Sequence, residues 1–149
     1  MKKILIFVLI AIFSRCDNDE YSSFSEYLEN SVYVEKGTNE SGGKIYKWEN
    51  YHTFDFSKYG YKQNGFREVS ECYSTGNSFE NGQIISDTDS SVTYVQGGTT
   101  LTISKLNSKG IKFQTQYSSG GGWTYNLLKS DFSTLESLKA EKRSDNSCY

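Results

Sequence analysis

Residues 91–129 read SVTYVQGGTTLTISKLNSKGIKFQTQYSSGGGWTYNLLK, and their pattern decides the fold. Apolar and polar residues alternate through four successive segments, 91–96, 99–106, 111–117 and 123–129. A period of two marks a strand with one buried face and one wet face, because successive side chains point to opposite sides of a pleated chain. Between the segments lie Gly97-Gly98, residues 107–110 (NSKG) and residues 118–122 (SSGGG). Paired glycines supply the positive φ that tight hairpins require. Phase then assigns the inward faces. Val92 pairs with Tyr94 and Leu101 with Ile103; Ile111, Phe113, Thr115 and Tyr117 share a side, as do Trp123, Tyr125 and Leu127. Connections this short make sequential neighbours pair, which predicts an antiparallel meander.

Working upstream, the same punctuation continues. Strands are expected over residues 31–36 (SVYVEK), 44–48 (KIYKW), 51–56 (YHTFDF), 66–74 (FREVSECYS) and 83–86 (QIIS). Loops fall at residues 37–43 and 75–82, and residues 61–65 have no clear alternation. The chain has no proline and 13 glycines, and 12 of its aromatics are tyrosine, a composition that suits a pleated, half-buried surface. The fold class is therefore all-β: an antiparallel meander closing into a small barrel or folding as a β-sandwich. Closure would remove exposed edges. Downstream, residues 133–136 (STLE) read as a capping box, with Leu135 and Leu138 forming a narrow apolar stripe and Lys139, Lys142 and Arg143 near the end. One short C-terminal helix is expected over about residues 132–142.

The first sixteen residues, MKKILIFVLIAIFSRC, have a different logic. Two lysines precede ten uninterrupted apolar residues, 4–13, which rise about 15 Å as a helix, roughly half the hydrocarbon thickness of a bilayer. That is the length of a secretion signal and too short for a span. Ser14-Arg15-Cys16 resembles the lipobox of bacterial lipoproteins, with Arg15 at a position where that motif carries a small residue. The acidic run Asp17-Asn18-Asp19-Glu20 is similar to the cluster behind the lipidated cysteine of surface-displayed Bacteroidota lipoproteins. The resemblance implies cleavage after residue 15, a lipid on Cys16, and an exported protein held at the cell envelope, on the outer membrane or cell surface. The alternative is ordinary cleavage near Ser14 with Cys16 left as a free thiol. Residues 16–30 then form the lipidated cysteine and an acidic tether, and residues 31–149 a single β domain. Residues 44–130 also resemble the lipocalin-like domains of exported Bacteroidota proteins, through the hairpins that follow TYVQGGTTLTI. The glycine–Xaa–tryptophan of true lipocalins is absent. That resemblance implies a barrel whose interior or mouth takes a small apolar or amphipathic ligand.

Charge excludes some partners. Lys2, Lys3 and Arg15 fall before Cys16, which leaves 13 basic residues against 18 acidic ones. Nucleic acid needs a basic stripe, and no such stripe exists here. Membrane contact is expected through the lipid anchor alone. With Cys16 assigned to lipid, Cys72 and Cys148 remain, and in an exported protein such a pair is expected to form a disulfide. Two unpaired thiols are the alternative.

No motif names a reaction, and neither a catalytic set, a cofactor nor a metal is expected. His52, the only histidine, shares the inward phase of Phe54 and Phe56 and has no local nucleophile or carboxylate to work with. Glu68 and Glu71 are expected on opposite faces of one strand, which rules out a facing carboxylate pair. Asp87 and Asp89 read as a solvated acidic turn, and residues 120–122 lead into a strand, so they do not cradle phosphate. The aromatics are the functional candidates. Tyr46, Trp48, Phe54, Phe56, Phe113, Trp123 and Tyr125 are expected to line a ligand site or, in a sandwich, to form an exposed glycan- or protein-binding face. The plainer alternative is cross-strand pairing that only stabilises the sheet.

Overall fold

The structure, a computed structural model, describes residues 21–149 except Tyr59, Phe79, Glu80, Asn146, Ser147 and Tyr149. The leader, Cys16 and the acidic run behind it lie outside the described residues. The chain begins with α1 (Phe24–Glu29) and continues through β1 (Val32–Ser41), β2 (Lys44–Asp55), β3 (Gly60–Arg67) and β4 (Cys72–Ser78). A second run follows: β5 (Gln83–Asp87), β6 (Ser91–Gln96), β7 (Thr99–Asn107), β8 (Gly110–Tyr117) and β9 (Gly122–Ser130). It ends in α2 (Phe132–Glu141) and β10 (Arg143–Ser144). All strands belong to one sheet of order β10-β4-β3-β2-β1-β9-β8-β7-β6-β5, antiparallel except where β10 lies parallel to β4. The fold is all-β, a meander with one short C-terminal helix.

Strand order explains how the sheet curls. Two hairpin runs, β1–β4 and β5–β9, join through a seam of three residue pairs, Val32–Val34 against Leu128–Ser130. β5 is one edge of the order and β4 lies next to β10 at the other, yet the two are joined by residues 79–82, a link that reaches at most about 18 Å. The two runs therefore face each other as leaves. Tyr61 of β3 packs edge-on against Phe113 of β8 at 4.9 Å between ring centroids, and Phe56 lies 5.8 Å from Tyr94 of β6. Among the described residues β4 and β5 share no ladder, so the sheet curls without closing into a hydrogen-bonded barrel.

The space between the leaves is filled at one end. Phe54, Phe56, Val92, Leu101, Ile103, Ile111 and Leu127 pack there with Phe24 and Leu28 of α1. The helix is fastened to both leaves. Ser25 donates through its hydroxyl to Asp87 of β5 at 2.5 Å, while Glu29 accepts from the backbone N–H of Phe56 at 2.8 Å. Lys129 stands 4.9 Å from the Tyr27 ring centroid, and its ammonium donates to the Tyr27 hydroxyl. A tether expected through residue 30 is thus corrected: from Phe24 onward the chain is packed domain. Ser23 caps the helix by accepting from the Glu26 N–H, and Glu26 reaches back to the Ser22 N–H.

A second cluster covers the outer face of β1–β3. Leu135 of α2 is buried against Val32, Val34, Tyr51 and Phe66, with Leu138 beside them. The expected capping box is corrected: the cap lies two residues earlier. Asp131 is the cap, accepting from the Thr134 N–H at 2.7 Å, and Ser133 donates to that same carboxylate. These hydrogen bonds hold the Asp131 carboxyl below its ordinary range. After α2, Lys142 donates to the carbonyls of Arg67 and Ser70 and so pins the β3–β4 turn. Cys72 and Cys148 are disulfide-bonded, with Cα atoms 5.9 Å apart. A bond spanning 76 residues stabilises by about 4.5 kcal/mol in the chain-entropy model.

Three strand boundaries differ from the sequence reading. β1 and β2 extend through most of the expected loop at residues 37–43 and turn at Gly42-Gly43, both at positive φ. The polar run Thr38 to Ser41 pairs as ladder without burying a face, so no hydrophobic signal betrays it. Residues 44–48 and 51–56 form one strand. The expected strand over residues 66–74 breaks instead into the end of β3, a turn at residues 68–71 and the start of β4, so Glu68 and Glu71 do not share a strand. The hairpin at Gly97-Gly98 stands as expected, with φ of 51° and 83°.

Candidate functional site

Toward the other end the interior changes character. Each inward-facing row runs from apolar to polar as it leaves the plugged end. Tyr33 gives way to Glu35 on β1, Phe54 to His52 and Asn50 on β2, Tyr61 to Gln63 on β3, and Phe113 to Thr115 on β8. On β9 the order is Leu127, Tyr125, Trp123, from fully buried to 60% exposed. Beyond the three-pair seam β1 and β9 no longer pair, and the leaves part. The result is a cleft of about 440 Å³ between them.

Its walls are of two kinds. Tyr61, Phe113, Tyr117, Trp123 and Tyr125 give aromatic surface, mainly from the second leaf. Asn50, His52, Gln63, Gln96 and Thr115 give hydrogen-bonding groups, and Glu35 is the one charged residue of the lining. Thr115 also sets the position of Trp123, whose backbone N–H donates to the threonine hydroxyl at 3.0 Å. Tyr125 has its hydroxyl pKa raised, first by burial and then by the neighbouring Glu35 carboxylate.

His52 is the unusual member. It is only 4% exposed, stacks on Tyr61 at 6.1 Å and meets Phe113 at 5.8 Å. Neither ring nitrogen has a hydrogen-bond partner. Leaving a buried donor or acceptor unpaired costs about 1–3 kcal/mol. Burial pushes its pKa down to about 4, so the ring is neutral at pH 7 and offers one donor and one acceptor. A histidine acting as general base needs an orienting group hydrogen-bonded to its second nitrogen, and His52 has none. Among the described residues no cluster of His, Cys, Asp and Glu is placed to hold a metal ion.

The aromatic candidates separate into groups. Phe113, Trp123 and Tyr125 come together in the cleft. Phe54 and Phe56 lie apart from it, in the packed core. They stack on each other at 6.0 Å inside the plugged core, because the inward phase they share continues toward α1 and away from the mouth. Trp48 lines a smaller hollow of about 210 Å³ with Asn39, Gly65 and Cys148. Its indole lies over Gly37 so closely that a Cβ there would come within 2.3 Å of the ring. Tyr46, half-buried, sits one inward position further along β2 opposite Asn39. The residues that sequence reasoning passed over are Glu35, Asn50, Gln63 and Gln96, while His52 was placed inward but given no part in a site. For Glu35, Asn50 and His52 the signal was present: a polar residue on the inward phase of a strand needs a partner or a purpose.

Comparison with models of protein families, with curated proteins and with solved structures finds no match for this chain.

Proposed function

We propose that the protein is a non-enzymatic, lipid-anchored envelope protein that captures a small ligand in the cleft between its two leaves. The observation that carries this reading is a cleft lined half by aromatic and half by polar side chains, with the buried, unpartnered His52 in its wall. A cleft of this volume falls in the range of small-molecule sites, which is about 300–1,000 Å³. The plugged interior supports a ligand at the mouth over one threaded deep into a barrel, since Phe54, Phe56 and Leu127 occupy that space. The lone histidine without an orienting carboxylate supports binding over acid–base chemistry. The anchor rests on the leader and Cys16.

One experiment addresses both parts. A Trp48→Phe protein keeps Trp123 as its one indole. Titration with a neutral phenyl-naphthylamine dye, with octyl glucoside and with simple sugars is expected to give a saturable change in Trp123 emission for at least one class. No saturable change with any of them overturns the binding reading. In parallel, Cys16→Ser is expected to move the protein out of the membrane fraction, and an unchanged distribution overturns the anchor.

A further inference from the structure

Charge narrows what the cleft accepts. No lysine or arginine is among its lining residues, and Glu35 stands inside it. A fatty acid or a phosphorylated ligand would bring an anion into a partly buried space with no cation to meet it, a costly arrangement. The neutral state of His52 at pH 7 adds no positive charge. Acidic ligands are therefore disfavoured.

The polar groups narrow it further. Asn50 and Gln63 are carboxamides, each with two donors and an acceptor, and both line the cleft from the first leaf, with the buried His52 between them on the same wall. Hydroxyl groups, which donate and accept at once, match that set. A quaternary ammonium ion would suit Glu35 and the rings but could neither donate to nor accept from the amides. A hydrocarbon would cover the amides of Asn50 and Gln63 without offering them a partner. Opposite the amides, the exposed Trp123 and the neighbouring Tyr117 and Tyr125 offer flat apolar faces with polar tips. A pyranose has the same division, an apolar C–H face and a polar rim.

Resting on the ligand-binding reading above, we infer that the cleft takes an uncharged saccharide of one or two rings, stacked on Trp123 and hydrogen-bonded by the amides of Asn50 and Gln63. Free sugar and the sugar head of a glycolipid share this chemistry. The test is an amide-resolved NMR titration of the mature protein with cellobiose, maltose, lactose and N-acetylglucosamine, and in separate arms octyl glucoside, choline and octanoate. Saturable shifts with a saccharide, centred on β2, β3, β8 and β9, are expected. Affinity should fall about five- to tenfold in Gln63→Ala, the loss of one or two neutral hydrogen bonds. It should fall at least as far in Trp123→Ala, whose exposed site leaves the fold intact by thermal melt. Tighter binding of octyl glucoside than of free sugars assigns the glycolipid source. Shifts with choline or octanoate and none with any sugar overturn the saccharide inference and leave the cleft a binding site. No shifts in any arm overturn both.

Discussion

The two ends of the interior are built from the same strands and obey opposite rules. At the α1 end the core between the leaves is apolar, rings and aliphatics interlock, and the helix is tied to both leaves. At the far end the same rows carry Glu35, Asn50, His52 and Gln63, and no helix covers them. Stability is concentrated where apolar surface is buried, because that is the dominant favourable contribution to folding. The far end is held differently, by the Lys142 contacts and the Cys72–Cys148 bond. One end secures the fold, which frees the other to display groups that folding alone would not select.

The largest effect should come from breaking the packed end. Phe54→Ala removes a ring that stacks on Phe56 and meets Tyr33 edge-on at 6.1 Å, and it is expected to cost about 4 kcal/mol in a urea melt. A cost near zero would mean the plug does not carry the fold. Acid should reveal the cleft end next. An unfolded histidine titrates near 6.5, whereas His52 in the folded chain does so at about 4. The unfolded state thus binds the extra proton first. Stability is unaffected above pH 6.5, falls as the pH drops from there, and has lost about 3 kcal/mol once it is below 4. His52→Phe should abolish that part of the acid slope while leaving the contribution of the carboxylates, and parallel melts of the two proteins between pH 4 and 7 measure the difference. The smallest change sharpens the contrast: Gln63→Ala should alter stability by no more than about 0.5 kcal/mol, as for a substitution outside the packed core, while lowering ligand affinity. A loss comparable to that of Phe54→Ala would mean that the amide belongs to the core and not to a site.

What was legible in the chain follows from the same division. Leu101 with Ile103 and Ile111 with Phe113 declare their face by alternation, and each is buried as its phase requires. β3 was missed because Gln63 points inward and the buried Asn64 points outward, so its two faces look equally polar. The β1–β2 arm was shortened because Thr38, Asn39 and Glu40 are exposed and hold their ladder through backbone alone. For α1 the signal existed: Ser23 and Glu26 are spaced as a capping box, overlooked in a serine-rich, acidic context. The β1–β9 seam joins residues almost a hundred positions apart, and no local pattern encodes such a meeting. Nor does any encode the cleft, since the amide of Gln63 and the indole of Trp123 come to face one space only once the leaves have curled together.

The helix that stoppers the apolar end also sets the direction in which the molecule looks. The chain enters the domain at Tyr21, whose ring rests 5.3 Å from Tyr27 of that helix, so anything attached upstream pulls from the stoppered pole. Were the proposed lipid at Cys16 to hold the protein to a membrane, that membrane would lie behind the stoppered pole, and the tryptophan-fringed opening at the opposite pole would be turned away from it.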